Sequence, residues 1–249
     1  MDMKTLFRKL LAALAVAPAL ALASGAKVQL DHAPVNLHDK ASLQRGAQIF
    51  VNHCLNCHSA SAMRYSRLTD LGLTEAQIVD NLVLAGEKVG EPMVSVLDPK
   101  DAKAFFGVVP PDLSLLARSR GPDWIYTYLR AFYRDPATKS GWNNTVFPNV
   151  GMPHVLWEYQ GDQALHVTER VDEHSGDTRR TQKLAIERPG TMSARDYDRF
   201  VADLVNYLAY MSEPTQGDRK HWGILVLFFL TAFVGLALML KTEYWKDVR

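Results

Sequence analysis

Cys54, Cys57 and His58 stand together in the run Cys54-Leu55-Asn56-Cys57-His58. Two thiols three positions apart can each add to a haem vinyl group and form a thioether. The imidazole beside the second thiol then reaches the iron as an axial ligand. These are the only two cysteines in the chain, too few and too close for a disulfide framework. A zinc site wants four ligands, usually from a second Cys/His pair. A thioredoxin-like redox pair opens a helix after a strand, whereas here a helical pattern precedes the motif. A disulfide across two intervening residues is strained. The spacing therefore predicts one haem c, bound covalently through two thioethers, and single-electron transfer as the chemistry.

A second axial ligand must come from elsewhere. Methionine opposite His raises the potential and suits electron transfer. Met63 is too near the motif to cross the haem. Met192 and Met211 sit on or beside a later helix, and Met239 lies in an apolar run. Met93 and Met152 remain. Met152 has the better setting, because Gly151 and Pro153 hold its backbone out of helix. His154 competes as a second imidazole. Haem propionates want cationic partners, and Arg118 and Arg120 follow the turn Pro110-Pro111-Asp112-Leu113-Ser114. A carbonyl near Pro110 is placed to accept the Nδ1–H of His58 and fix its orientation.

These residues need a scaffold. Ala41 to His53 reads as a helix with Leu43, Ala47, Ile49 and Phe50 on one face. Gly46, one turn before Phe50, would let a partner helix come close. Ser193 to Met211 reads as that partner. Ser193 is its N-cap, Asp196 follows three residues on, and Tyr197, Phe200, Val201, Leu204 and Leu208 recur at helical spacing. Pro122 to Arg134 reads as a third helix with Pro in its first turn. Residues 160–188 alternate around His174-Ser175-Gly176-Asp177 and predict a β-hairpin. The fold class expected is mainly α: a c-type cytochrome haem domain with a small β-hairpin insertion and one C-terminal transmembrane helix.

Both ends carry targeting signals. Lys4, Arg8 and Lys9, the apolar stretch from Leu10 to Leu22 and the small residues at Ala21 and Ala23 read as a secretory signal. Trp222 to Leu240 holds no charge, and as a helix it reaches roughly 28 Å, about the thickness of a bilayer core. The organisation expected is a signal peptide over 1–23, a periplasmic haem domain over 24–215 with its hairpin at about 160–188, and a transmembrane anchor with a short cytoplasmic tail over 216–249. Apolar residues make up 47%, charged residues 22% and the formal net charge is +1. No field of that size argues for nucleic acid. Acidic residues gather between Asp70 and Asp101, including Glu87 and Asp98, which reads as a solvated surface with some capacity to steer a basic carrier.

The ordered set of leader, CLNCH, PPDLSLLARSRG, GMP, and YLAYMSEP running through DRKHWG into one apolar span resembles the cytochrome c1 family, the haem subunits of the bc1 complex (ubiquinol–cytochrome c reductase). The resemblance covers nearly all of the chain beyond the leader. CLNCH is shared by all c-type cytochromes, and the other motifs are specific in combination. The resemblance implies Cys54 and Cys57 as thioether attachments, His58 and Met152 as axial ligands, and Arg120 ahead of Arg118 as propionate partner. It implies cytochrome b and a Rieske iron–sulfur protein as partners, with electrons passing to a soluble or membrane-bound cytochrome c. It implies the inner membrane of a bacterium, the haem domain periplasmic and the C-terminus cytoplasmic, and no catalytic acid, base or nucleophile. The 160–188 segment departs from the shorter mitochondrial form. The competing readings are a haem subunit of another membrane complex, such as a terminal oxidase, and a haem sensor or peroxidase with an open sixth site.

Overall fold

The computed structural model describes residues 29–84, 88–171 and 178–247. The leader expected over 1–23, Glu87 and the turn at His174–Asp177 lie outside the described residues. Chain contacts divide the protein into Met1–Leu30 and Asp31–Arg249. Of the first unit only Gln29 and Leu30 are described, both exposed. All the elements below belong to the second.

In chain order these are α1 (Lys40–His53), β1 (Ala60–Arg64), a 3-10 helix (Tyr65–Leu71), α2 (Glu75–Leu82), β2 (Pro92–Met93), α3 (Pro99–Phe106), α4 (Leu116–Arg120), α5 (Pro122–Arg130), β3 (Phe132–Arg134), β4 (Trp142–Asn144), α6 (Trp157–Gln160), β5 (Gly161–Val171), β6 (Thr178–Pro189), α7 (Ala194–Ser212) and α8 (Gln216–Trp245). Among the described residues the strands pair as antiparallel couples, β1 with β2, β3 with β4 and β5 with β6. The described fold is thus mainly α with small β elements.

The core is organised by α1 against α7. Asp39 caps α1 by accepting from Ser42 N. Ser193 caps α7 by accepting from Asp196 N, and its hydroxyl donates to the Asp196 carboxylate at 2.6 Å. Each cap satisfies amides that the first helical turn leaves open. Leu43, Ala47 and Phe50 on α1 bury against Val201, Leu204, Tyr207 and Leu208 on α7. The Phe50 and Tyr207 rings lie 5.7 Å apart. A Cβ at Gly46 would stand 2.1 Å from the Asp203 carbonyl oxygen, so only glycine admits this approach. Arg45 clamps the crossing with two bonds to Asp203, at 2.6 and 3.0 Å. The close pairing expected at Gly46 is borne out.

The helix expected over Pro122–Arg134 stops at Arg130. Residues Phe132–Arg134 form β3 instead, in register with Trp142–Asn144. Distant groups claim the carbonyls that a continuing helix would need. Asn144 Nδ2 donates to Tyr128 O at 2.8 Å, and Gln160 and Gln163 side chains donate to Arg130 O at 3.0 and 2.9 Å. Gln163 also donates to Phe132 O.

The expected hairpin is β5–β6. Its base is held by Asp162, which accepts from Arg134 at 2.9 Å and from Arg188. Gly161 has φ +95°, and a Cβ there would meet the Arg188 carbonyl oxygen at 2.2 Å. At the other end of the chain, the helix Asp218–Trp245 contains an 18-residue window of mean hydropathy 2.7, none of it buried. This helix is long and apolar enough to cross a bilayer and is a candidate membrane anchor.

Candidate functional site

The motif begins where α1 ends. Cys54 is the C-cap, and its N–H and that of Leu55 both donate to Phe50 O, at 2.9 and 3.0 Å. The N–H groups of Cys57 and His58 then both donate to Cys54 O, at 3.0 and 2.8 Å. This tight turn presents Cys54, Cys57 and His58 together, while Leu55 is buried and anchors it. Both thiols are free and half-buried. Burial, with Cys57 adding to it, pushes the Cys54 thiol up to about 12, and burial also raises Cys57. These are protonated thiols at the carbonyl end of a helix. A redox-active pair has lowered values and sits at the other end.

His58 is oriented from outside the motif. Its Nδ1–H donates to Pro111 O at 2.8 Å, one residue along from the carbonyl expected near Pro110. That bond fixes the tautomer and leaves Nε2 as the ring's lone-pair donor. Burial lowers the His58 pKa, and the Pro111 carbonyl and Asp112 oppose it.

Two straps hold the turn in place. On one side Leu113 N donates to Ser59 O at 2.8 Å, Ser61 gives both its N–H and its hydroxyl to the Asp112 carboxylate, and Ala62 N donates to Ser114 Oγ. Burial would raise the Asp112 pKa, but these bonds and those from Ser114 carry it below the usual carboxylate range. On the other side the Ser95 hydroxyl donates to Asn56 O at 2.7 Å, and Ser95 N donates to Ser59 Oγ.

The three sixth-ligand candidates separate clearly. Met93 is fully buried in β2, and its sulfur accepts from Tyr207 Oη at 3.5 Å inside the α1–α7 core. His154 is buried, its Nε2 bonded to Gln160 Oε1 at 2.7 Å and its ring stacked on Phe132 at 4.9 Å. Burial, with the Arg134 charge, lowers its pKa to about 4 against the opposing Gln160 bond. Both residues are spent on packing. Met152 is half-buried in a loop, and its sulfur accepts from Tyr128 Oη at 3.3 Å.

Arg118 and Arg120 both lie exposed on α4. The Arg120 guanidinium sits 5.3 Å from the Trp124 ring centroid. Trp124 stacks on Tyr128 at 4.9 Å with 10° between planes. Arg120 is thereby joined through two rings to Met152. Arg118 adds a small share to the charge that holds the Glu213 carboxyl below its usual range. Sequence reasoning missed Tyr128, Ser59, Ser61 and Ser95. Tyr128 could have been found from its i+4 spacing to Trp124. The serines carry no local signal.

The donor set fits a haem c: two free thiols, an imidazole with one nitrogen committed and one open, and a thioether outside the core. The segments around the motif also expose Val94, Val96, Val108, Val109 and Leu115. Uncovered apolar surface of this kind suits an apolar macrocycle. A cavity of about 500 Å³ opens beside Gly151 and Pro153, walled by Phe105, Phe106 and Lys139, and the thiols are not on its wall.

Comparison with known proteins adds an independent line. The model described as the Cytochrome C1 family matches residues 31–179 and 190–248. The unmatched stretch, 180–189, falls in β6. The chain is 49% identical over 239 residues to a protein of Nitrosomonas europaea named ammonia monooxygenase gamma subunit, covering 96% of this chain and 97% of that one. It is 47% identical over 245 residues to the cytochrome c1 of Allochromatium vinosum, covering 97% and 99%. The cytochrome c1 of Rhodospirillum rubrum is 29% identical over 280 residues, covering 94% and 96%.

Proposed function

Because this chain belongs to the cytochrome c1 family, we propose that it works as the membrane-anchored haem subunit of a quinol-oxidising bc1 complex, passing single electrons from a Rieske iron–sulfur protein to a cytochrome c. The observation that carries this reading is His58. Its Nδ1 is held 2.8 Å from Pro111 O, on the turn that also presents two free thiols.

A haem c bound here would supply reversible one-electron chemistry. The chain's residues do the rest. Cys54 and Cys57 anchor it through thioethers. His58 and Met152 would hold its iron, with the Pro111 carbonyl keeping the imidazole oriented through Nδ1. Arg120, packed on Trp124, is the propionate partner, with Arg118 in reserve. No side chain moves a proton in this scheme. The cytochrome b and Rieske partners, the periplasmic face for the haem domain (24–215), the leader (1–23) and the anchor with its cytoplasmic tail (216–249) belong to the same proposal. The fully exposed apolar length of α8 supports the anchor.

The test is isolation of the intact chain from its own membranes under mild detergent. A reduced c-type spectrum, with cytochrome b and a Rieske protein in the same particle, supports the reading. Recovery with terminal-oxidase or monooxygenase subunits, without cytochrome b, overturns it.

A further inference from the structure

We propose that the Tyr128 hydroxyl, by donating to the Met152 sulfur, is a positioning residue that raises the potential of the site; this rests on Met152 being an axial ligand.

Tyr128 is buried on α5, and its ring is held from two sides. Trp124, one turn earlier, stacks on it at 4.9 Å, and Phe132 meets it edge-on at 5.0 Å. Its backbone carbonyl is fixed by Asn144 Nδ2 at 2.8 Å. The hydroxyl therefore has one direction in which to point. There it meets Met152 Sδ at 3.3 Å.

A buried tyrosine hydroxyl needs a partner, and a thioether is among the weakest acceptors available. A phenylalanine would fill the same space with no polar group to satisfy. The tyrosine thus carries a polar cost that packing alone does not explain.

A thioether sulfur has two lone pairs. One can accept from Tyr128 while the other faces a metal. Donation from the hydroxyl draws electron density from sulfur and makes it a poorer ligand to ferric than to ferrous iron. Hydrogen bonds of this kind around a ligand atom are a protein's means of setting a potential. The bond also fixes the Met152 rotamer, which a flexible side chain in a loop otherwise lacks.

The molecule contains its own control. Tyr207 donates to Met93 Sδ at 3.5 Å, which is the same pair of groups, but in the α1–α7 core. The experiment uses the full chain with its haem, in detergent, and three variants. Each is read by redox titration and by the charge-transfer band that methionine ligation gives ferric haem.

Tyr128→Phe is expected to keep its covalent haem and to titrate at lower potential, with a several-fold larger ferric share at a fixed poise. Its charge-transfer band should shift. Tyr207→Phe is expected to titrate as the wild type does. Met152→Leu is expected to lose the band. If Met152→Leu loses the band but Tyr128→Phe titrates as wild type, the role of Tyr128 is overturned and Met152 stands. If both tyrosine variants fall equally, the effect is packing and the proposal fails. If Met152→Leu keeps band and potential, the ligand reading fails, and this inference with it.

Discussion

Gly46 and Tyr207 meet so closely that a Cβ on the glycine would lie 2.6 Å from the Tyr207 Cβ. This contact fixes how α1, which leads into Cys54-Leu55-Asn56-Cys57-His58, seats on α7. Arg45 and Asp203 lock the crossing beside it.

Gly46→Ala sets two effects against each other. Alanine in a helix interior gains about 1 kcal/mol over glycine. Overpacking against the Asp203 backbone costs about 1–3 kcal/mol or more, since a main-chain oxygen cannot swing aside. The second wins. The expected outcome is a lower thermal midpoint, measured by scanning calorimetry. A midpoint at or above wild type would show that the helices separate without cost.

The two thiols predict a stepwise loss. Cys57→Ser leaves one thioether, and haem staining on a denaturing gel should weaken but persist. The double variant Cys54→Ser/Cys57→Ser should show none, because the chain has no other cysteine. Stain surviving in the double variant would place the attachment elsewhere.

Asp162 gives a pH dependence. Burial alone would raise its pKa, but hydrogen bonds from Arg188 and Arg134 carry it below the usual carboxylate value. A depressed folded pKa means that the unfolded chain takes up protons first on acidification. The stabilisation is therefore complete above the unfolded value of about 4 and is lost as pH falls through the lower folded one. Asp162→Asn should cost about 2 kcal/mol at neutral pH and progressively less below about pH 4. Denaturant unfolding at both pH values checks this. A gap that stays constant with pH would remove the carboxylate's charge from the explanation.

The last helix makes a partitioning prediction. The intact chain should stay with the membrane pellet through high-salt and alkaline washes. A chain ending at Ser212 should be recovered in the aqueous fraction with its c-type spectrum. Retention of the shortened form in the pellet would mean that another surface holds it.

What the sequence revealed depended on how local the physics is. The CxxCH spacing, the Ser193 cap, the Gly46 approach and the alternation of β5 and β6 all have their causes within a few residues, and each was legible. The end of α5 was not. Its carbonyls are claimed by Asn144, Gln160 and Gln163, residues 16 to 33 positions away. His154 looked free because Gln160 and Phe132 meet it only once the chain has folded. The His58 bond to Pro111 spans 53 positions and was expected near the right residue because an imidazole with one committed nitrogen needs a nearby acceptor.

Between α7 and α8 stand only Glu213, Pro214 and Thr215. Fully drawn out, that link reaches roughly 14 Å. With α8 in a bilayer, as proposed, a domain on so short a tether stays at the membrane surface and cannot carry an electron out into the surrounding fluid. Under the proposed function, its soluble electron acceptor must therefore come to it.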